Sequence, residues 1–208
     1  EKALALNNYE IVTILQKKQL ENPDSRVIFT HVKSSNLLEN FASAYAGQLS
    51  GDSLRFLIFF WELVQITSDW EYLGSTVENT ELFGGSSQII LWENGCGKIA
   101  QYKQELARTQ YASGAWKQGW QAWDKKGIRV SQMRSLPVTL HSATHFDNNS
   151  AVIIPHNEKD IAAIWCYCSS LEFNNSVRII DQKTNVTNAT LVKVPFDLEY
   201  WTRVAKEQ

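Results

Sequence analysis

Gly47-Gln48-Leu49-Ser50-Gly51-Asp52-Ser53-Leu54-Arg55-Phe56, running on as Leu57-Ile58-Phe59-Phe60-Trp61-Glu62-Leu63, is a polar turn that feeds a strongly aromatic run. Gly47 and Gly51 permit positive φ, and Asp52 and Ser53 can bond neighbouring backbone groups, so the turn can be tight and geometrically defined. The β-branched and aromatic residues that follow predict a buried strand over 55–64. A glycine turn emptying into a hydrophobic strand is the punctuation of a sheet protein. The same alternation continues outward, with strands predicted at 26–32, 41–46, 70–73, 88–93, 127–133, 138–140 and 151–154. Gly84-Gly85, Asn94-Gly95 and Asp147-Asn148-Asn149 separate them as turns.

Two intervals interrupt this texture as helices or long loops, at 99–109 and 114–124. Beyond Pro155 the pattern becomes helical. Asn157 is placed to cap a helix over 158–168, and Ser169 or Ser170 to cap a second over 171–183. A short strand at 190–194, stopped by Pro195, precedes a closing helix over 197–206. Upstream, Leu4, Ile11, Ile14 and Leu15 predict an amphipathic helix over 3–20, ended by Asn22-Pro23. The expected class is α+β. Residues 1–35 form a connector helix and first strand, and 36–208 the main domain. That domain comprises a β-rich lobe over about 36–155 and a helical part over about 156–208.

Composition narrows the function. At 208 residues, 44% hydrophobic and 20% charged, the chain can bury a stable core. No apolar run reaches the roughly 20 residues that span a bilayer, and no secretory leader is visible, so we expect a cytoplasmic chain with no membrane partner. Cys96, Cys166 and Cys168 are odd in number, without zinc-pair spacing, and read as reduced thiols. The opening glutamate and the single methionine, Met133, are expected of a piece excised from a longer protein.

The net charge of −2 hides an asymmetry. Residues 98–134 hold eight basic residues (Lys98, Lys103, Arg108, Lys117, Lys125, Lys126, Arg129, Arg134) against Glu105 and Asp124, giving +6 and leaving −8 elsewhere. Tyr102, Tyr111, Trp116, Trp120 and Trp123 are interleaved with these cations. Phosphate-pairing charge and flat apolar surface then occur together, as nucleic-acid binding requires. Lys103, Arg108, Trp116 and Lys117 are candidates on this basis. Lys117, Lys125 and Lys126 suit phosphates, whereas Arg129, Gln132 and Arg134 follow along a strand, and if one of its faces meets DNA then Arg134 to guanine and Gln132 to adenine are the natural base-reading pairs. On a strand, Arg129 would face away from Gln132 and Arg134. The bland reading of the segment is a solvated helix face with its tryptophans turned into the core. Asn188 either touches backbone phosphate or orders its own turn. Arg55 either stiffens the turn with Asp52 or sits at a domain junction.

His141, His145 and Asp147 form an H-x-x-x-H-x-D string, but the flanking strand and loop signals do not place both histidines on one face, so no metal site is expected. No nucleophile sits beside an activating base in the sequence, and we expect neither catalysis nor a bound cofactor.

The order of the elements carries a resemblance. After the G-x-x-S-G-D-x-x-R-F run come Gly84-Gly85, Leu91-Trp92-Glu93-Asn94-Gly95 and Lys126-Gly127-Ile128-Arg129-Val130-Ser131-Gln132-Met133. Phe146 to Pro155, Cys168 to Asn174 and Asn188 to Pro195 follow. Over about 36–208 this series resembles the target-recognition region of large single-chain N6-adenine DNA methyltransferases of type II restriction-modification and related phage-defence systems. The resemblance implies a domain that binds double-stranded DNA and positions a target adenine for N6 methylation by a methyltransferase domain of the same parent chain. S-adenosylmethionine would belong to that other domain, whose Asn-Pro-Pro-aromatic motif is absent here. The alternative is an aromatic-rich carbohydrate- or peptide-binding module. A hydrolase built on the histidines is a third reading.

Overall fold

The computed structural model describes residues 13–22, 25, 27–28, 36–108, 113–142 and 144–207. Most of the predicted connector helix and of the strand at 26–32, together with Tyr111, lies outside these residues. Within them, Gln16–Glu21 is a short 3-10 helix.

Two four-stranded sheets organise the chain. The first has the order β1 (Ala42–Ala46), β8 (Ser150–Pro155), β5 (Lys126–Ser131), β6 (Val138–Ser142), and its neighbours are all antiparallel. The second runs β2 (Leu57–Phe59), β4 (Gln88–Leu91), β3 (Trp70–Gly74), β7 (His145–Phe146), with β7 parallel to β3. Helices intervene at α1 (Ser53–Phe56) and α2 (Lys98–Ala107). The chain closes with α3 (Ile161–Cys168), α4 (Leu171–Ile180) and α5 (Leu198–Glu207). The fold is α+β, with the helices concentrated after the strands.

Side-chain alternation assigns the faces of the first sheet. Ile128, Val130, Ala151 and Ile153 point to one side, where they share a core with Tyr167, Phe173, Val177 and Trp201 from the three C-terminal helices. Val152 and Ile154 point to the other, against Ala122 and Phe146. A sheet covered on both faces explains why β8 is buried along its whole length. Phe146 belongs to β7, so this second core joins the two sheets. A smaller core of Phe56, Leu73, Ile90, Trp92 and Ile99 holds α2 on the second sheet.

Most predicted boundaries hold within a residue or two. Asn157 accepts a hydrogen bond from the Lys159 amide, and Ser170 from the Phe173 amide, as the capping pattern requires. The helix expected over 3–20 is, where described, irregular at 13–15 and a 3-10 helix over Gln16–Glu21, and two further expectations need correction. The aromatic run yields only a three-residue strand, because Asp52 caps a turn of helix through the Arg55 amide and the Glu62 carboxylate takes the Phe59 amide, folding Phe60–Glu62 into a 3-10 turn. Phe59, Phe60 and Trp61 are consequently exposed, Trp61 by 60%. The strand expected at 190–194 is a 3-10 helix, Asn188–Val192. There Asp181 accepts from the Thr187 amide and the Thr190 hydroxyl, giving the backbone a local alternative to a ladder.

Candidate nucleic-acid interface

The basic segment wraps the junction of the two sheets. It begins with α2, passes through the 3-10 turns Ser113–Lys117 and Trp120–Ala122, and ends by entering β5. Gly119 makes the passage possible. It has φ +82°, and a Cβ there would collide with the Ala46 carbonyl and the Phe146 ring.

Six of the eight cations reach solvent: Lys98, Arg108, Lys117, Lys125, Lys126 and Arg134 are exposed. Among the described residues, none of the six meets a carboxylate within ion-pair distance. The Lys117 ammonium stands 4.6 Å from the centre of the Trp116 ring, a cation–π contact at the surface. Trp116 is half-buried and packs on Trp92 at 5.3 Å. Trp123 stacks on His145 at 4.0 Å, whereas Trp120 is 62% exposed. The tryptophans are thus divided between core and surface.

The other candidates lie elsewhere. Arg129 is only 1% exposed and spans the gap between the sheets, where its guanidinium donates to the Gly84 carbonyl. Burial lowers its pKa to about 10, opposed by the nearby Asp147 carboxylate. A Cβ on Gly74 would strike this guanidinium, so that glycine makes room for it. Gln132 is also buried, and its Nε2 donates to the Val186 carbonyl at 2.6 Å. Neither side chain presents a hydrogen-bonding edge to a groove. A basic residue on β5 would reach a groove only if one face of the strand were open, whereas both faces are covered.

Arg134 is exposed but stands beyond the far end of β5 from Lys126, a strand of six residues that spans roughly 17–20 Å at about 3.3 Å per residue. Its carbonyl accepts from Arg178 at 2.7 Å. Asn188 donates to the Ala44 carbonyl at 3.0 Å, fastening its turn to β1 rather than facing outward. Lys103 is 4% exposed, and its ammonium lies against Gly51. Burial lowers its pKa. Lys125 and Lys126 share a surface hollow with Tyr45 and His156.

His141 and His145 are buried. Among the described residues no group of three His, Cys, Asp or Glu side chains could hold an ion. Burial depresses the pKa of His141 to about 4; the Ala122 carbonyl opposes this and the Arg129 charge adds to it. Burial alone brings His145 to about 4, and its Nδ1 meets the Gln48 Oε1 at 2.9 Å. Both are neutral structural groups near pH 7. Arg55 lies 5.2 Å from the Phe56 ring centre and 5.3 Å from that of Tyr102, while Asp52 bonds its backbone amide and not its guanidinium.

No protein-family model matches this chain, and no curated protein sequence does. Among solved structures, the type IIL restriction-modification enzyme MmeI in complex with DNA matches with a TM-score of 0.54 and 15% identity. The match covers 84% of this chain and 28% of that one. The fold is therefore related to part of a restriction-modification enzyme, and this chain spans less than a third of that enzyme's length. No helix among the described residues is long and apolar enough to cross a membrane.

Proposed function

We propose that this chain is a DNA-recognition domain of restriction-modification type, which docks on duplex DNA through the surface formed by residues 98–126. The observation that carries the reading is the set of exposed cations there, Lys98, Arg108, Lys117, Lys125 and Lys126, which have no carboxylate partner among the described residues, together with exposed Trp120. A domain of net charge −2 concentrates unpaired positive charge where a polyanion gains most from it. The fold relationship to an enzyme solved with DNA supports the same reading.

In this reading the domain supplies placement and sequence choice and does no chemistry itself. A methyltransferase domain of the same parent chain, working in the cytoplasm with S-adenosylmethionine, would methylate the adenine at N6. Base reading falls to groups other than Arg129 and Gln132, which the fold holds inside. Fluorescence anisotropy with labelled duplex tests the docking surface. Lys125→Glu with Lys126→Glu should weaken binding by tenfold or more, and unchanged affinity would remove this surface from the account.

The stacked rings of Phe59 and Trp61, 4.6 Å apart and exposed, favour a second reading as a carbohydrate- or peptide-binding module. Saturable glycan binding insensitive to salt, with no duplex binding, would establish it in place of the first.

A further inference from the structure

The turn at 47–53 and the turn at 147–149, a hundred residues apart in sequence, close on one another. Gln48 bridges to Asp147, and the backbones approach so tightly that a Cβ on Gly47 would collide with the Asp147 carbonyl. Between the turns and the second sheet lies a cavity of about 280 Å³. Its floor is apolar and comes from three strands: Leu57 of β2 stands directly opposite Ile90 of β4, with Leu73 of β3 beside them. Its rim is polar, with Gln48, Ser53, Asn148, Asn149 and the acidic Asp147. The volume falls just under the roughly 300 Å³ at which small-ligand pockets begin, room for one flat ring system and little more.

Two polar groups, one on the rim and one behind it, are left without a hydrogen-bond or carboxylate partner among the described residues. Gln48 is 2% exposed, and with its Oε1 on His145 its Nε2 finds no partner. Turning the carboxamide over would only transfer the deficit to the oxygen. A buried amide group left unpaired is destabilising, and a ligand edge would relieve it. The second group is charged. The Lys103 ammonium lies against Gly51, a cavity residue with φ +78°, and no carboxylate pairs with it among the described residues. Lys103 and Arg55 both face the Tyr102 ring, at 5.6 and 5.3 Å. The two acids nearby are engaged internally, Asp52 by the Arg55 amide and Asp147 by Ser75, Asn149 and Ser150. An apolar floor and an unpaired amide at the edge, with the Lys103 ammonium behind Gly51 and the Arg55 guanidinium over the adjoining Tyr102 ring, match a flat heterocycle carrying a phosphate.

We propose that this cavity receives one extrahelical nucleotide of bound DNA, its base resting on Leu57, Leu73 and Ile90 with an edge on the Gln48 carboxamide, and its phosphate on Lys103 and Arg55. The proposal rests on the reading of the chain as a DNA-binding domain. It adds a second contact, distinct from the cationic surface, that requires a nucleotide outside the stack.

Unstacking a paired base costs energy that an unpaired one has already lost, so a duplex containing one bulged nucleotide is the informative probe. Anisotropy titrations would compare it with the fully paired duplex of the same flanking sequence and with free deoxynucleoside monophosphates. The bulged duplex should bind at least about tenfold more tightly than the paired one. Ser53→Trp, a substitution at an exposed position on the mouth, should bring that ratio to one. The Gln48 side-chain amide resonance should shift on adding the bulged duplex to wild-type protein. A wild-type ratio of one, or a preference that survives Ser53→Trp without a Gln48 shift, overturns the cavity proposal and leaves the DNA reading standing. Monophosphates that bind as tightly as the bulged duplex overturn DNA as the source of the nucleotide. If neither duplex binds, the DNA reading falls and this proposal with it.

Discussion

Lowering the pH should destabilise this fold well above the range in which its carboxylates titrate, because His141 and His145 are buried without a charge partner. Both have folded pKa values of about 4 against 6.5 for an ordinary histidine. Below pH 6.5 the unfolded chain takes up protons that the folded one refuses, so stability present at neutral pH is lost as pH falls toward 4. From pH 7.5 to 5.5, a group shifted this far contributes a loss of about 1.3 kcal/mol, and the pair about 2.6 kcal/mol. Asp181 does not confuse the measurement. Despite desolvation that works in the opposite sense, its hydrogen bonds and Lys183 hold it below 3.8, so its contribution is lost only at lower pH. Urea denaturation at pH 7.5, 6.5 and 5.5, followed by tryptophan fluorescence, gives the dependence directly. His141→Phe keeps a ring against Phe146, 5.4 Å away, and should remove about half of the pH dependence whatever it does to absolute stability. Stability that is flat across this interval, or a slope untouched by His141→Phe, would refute the assignment of these histidines as neutral core groups.

Gly74→Ala should cost about 1–3 kcal/mol by urea denaturation, since its Cβ would meet the Arg129 guanidinium. Arg129→Met in the same chain should recover much of that loss, and additive effects would contradict the close approach. Ser170→Ala removes the cap of α4 and should cost about 1 kcal/mol. Asn188→Ala breaks the bond to the Ala44 carbonyl, so it should lower the melting temperature while leaving the salt dependence of duplex binding unchanged. A reduced salt slope would instead place Asn188 on a phosphate.

What could be read from the sequence follows from how local each signal is. Strand periods and the caps at Asn157 and Ser170 depend on neighbours within four residues, and they were legible. Arg129 was not, because a basic residue on a strand looks the same whether its second face meets water or a second sheet. Its partners are Gly74 and Gly84, more than forty residues away. In the Gly84-Gly85 pair the requirement for glycine comes from other contacts, Glu81 at Gly84 and the Ser75 carbonyl at Gly85. The polar turn at 47–53 first suggests a structural entrance to the aromatic run. Only its closure against 147–149 reveals a cavity, since the joining contacts, Gln48 to His145 and Gln48 to Asp147, span about a hundred residues. Charge asymmetry was legible as composition, but exposure divided it, leaving six cations outside and two inside.

The central claim is that residues 98–126 meet phosphates, and the salt dependence of duplex binding measures this most directly. Each phosphate contact contributes about 0.9 to the slope of log K against log salt. With five exposed cations on the surface, the wild-type slope should lie between about −3 and −5, and Lys125→Glu with Lys126→Glu should bring it about 2 closer to zero. A wild-type slope near zero, or one unchanged by that double reversal, would contradict the account.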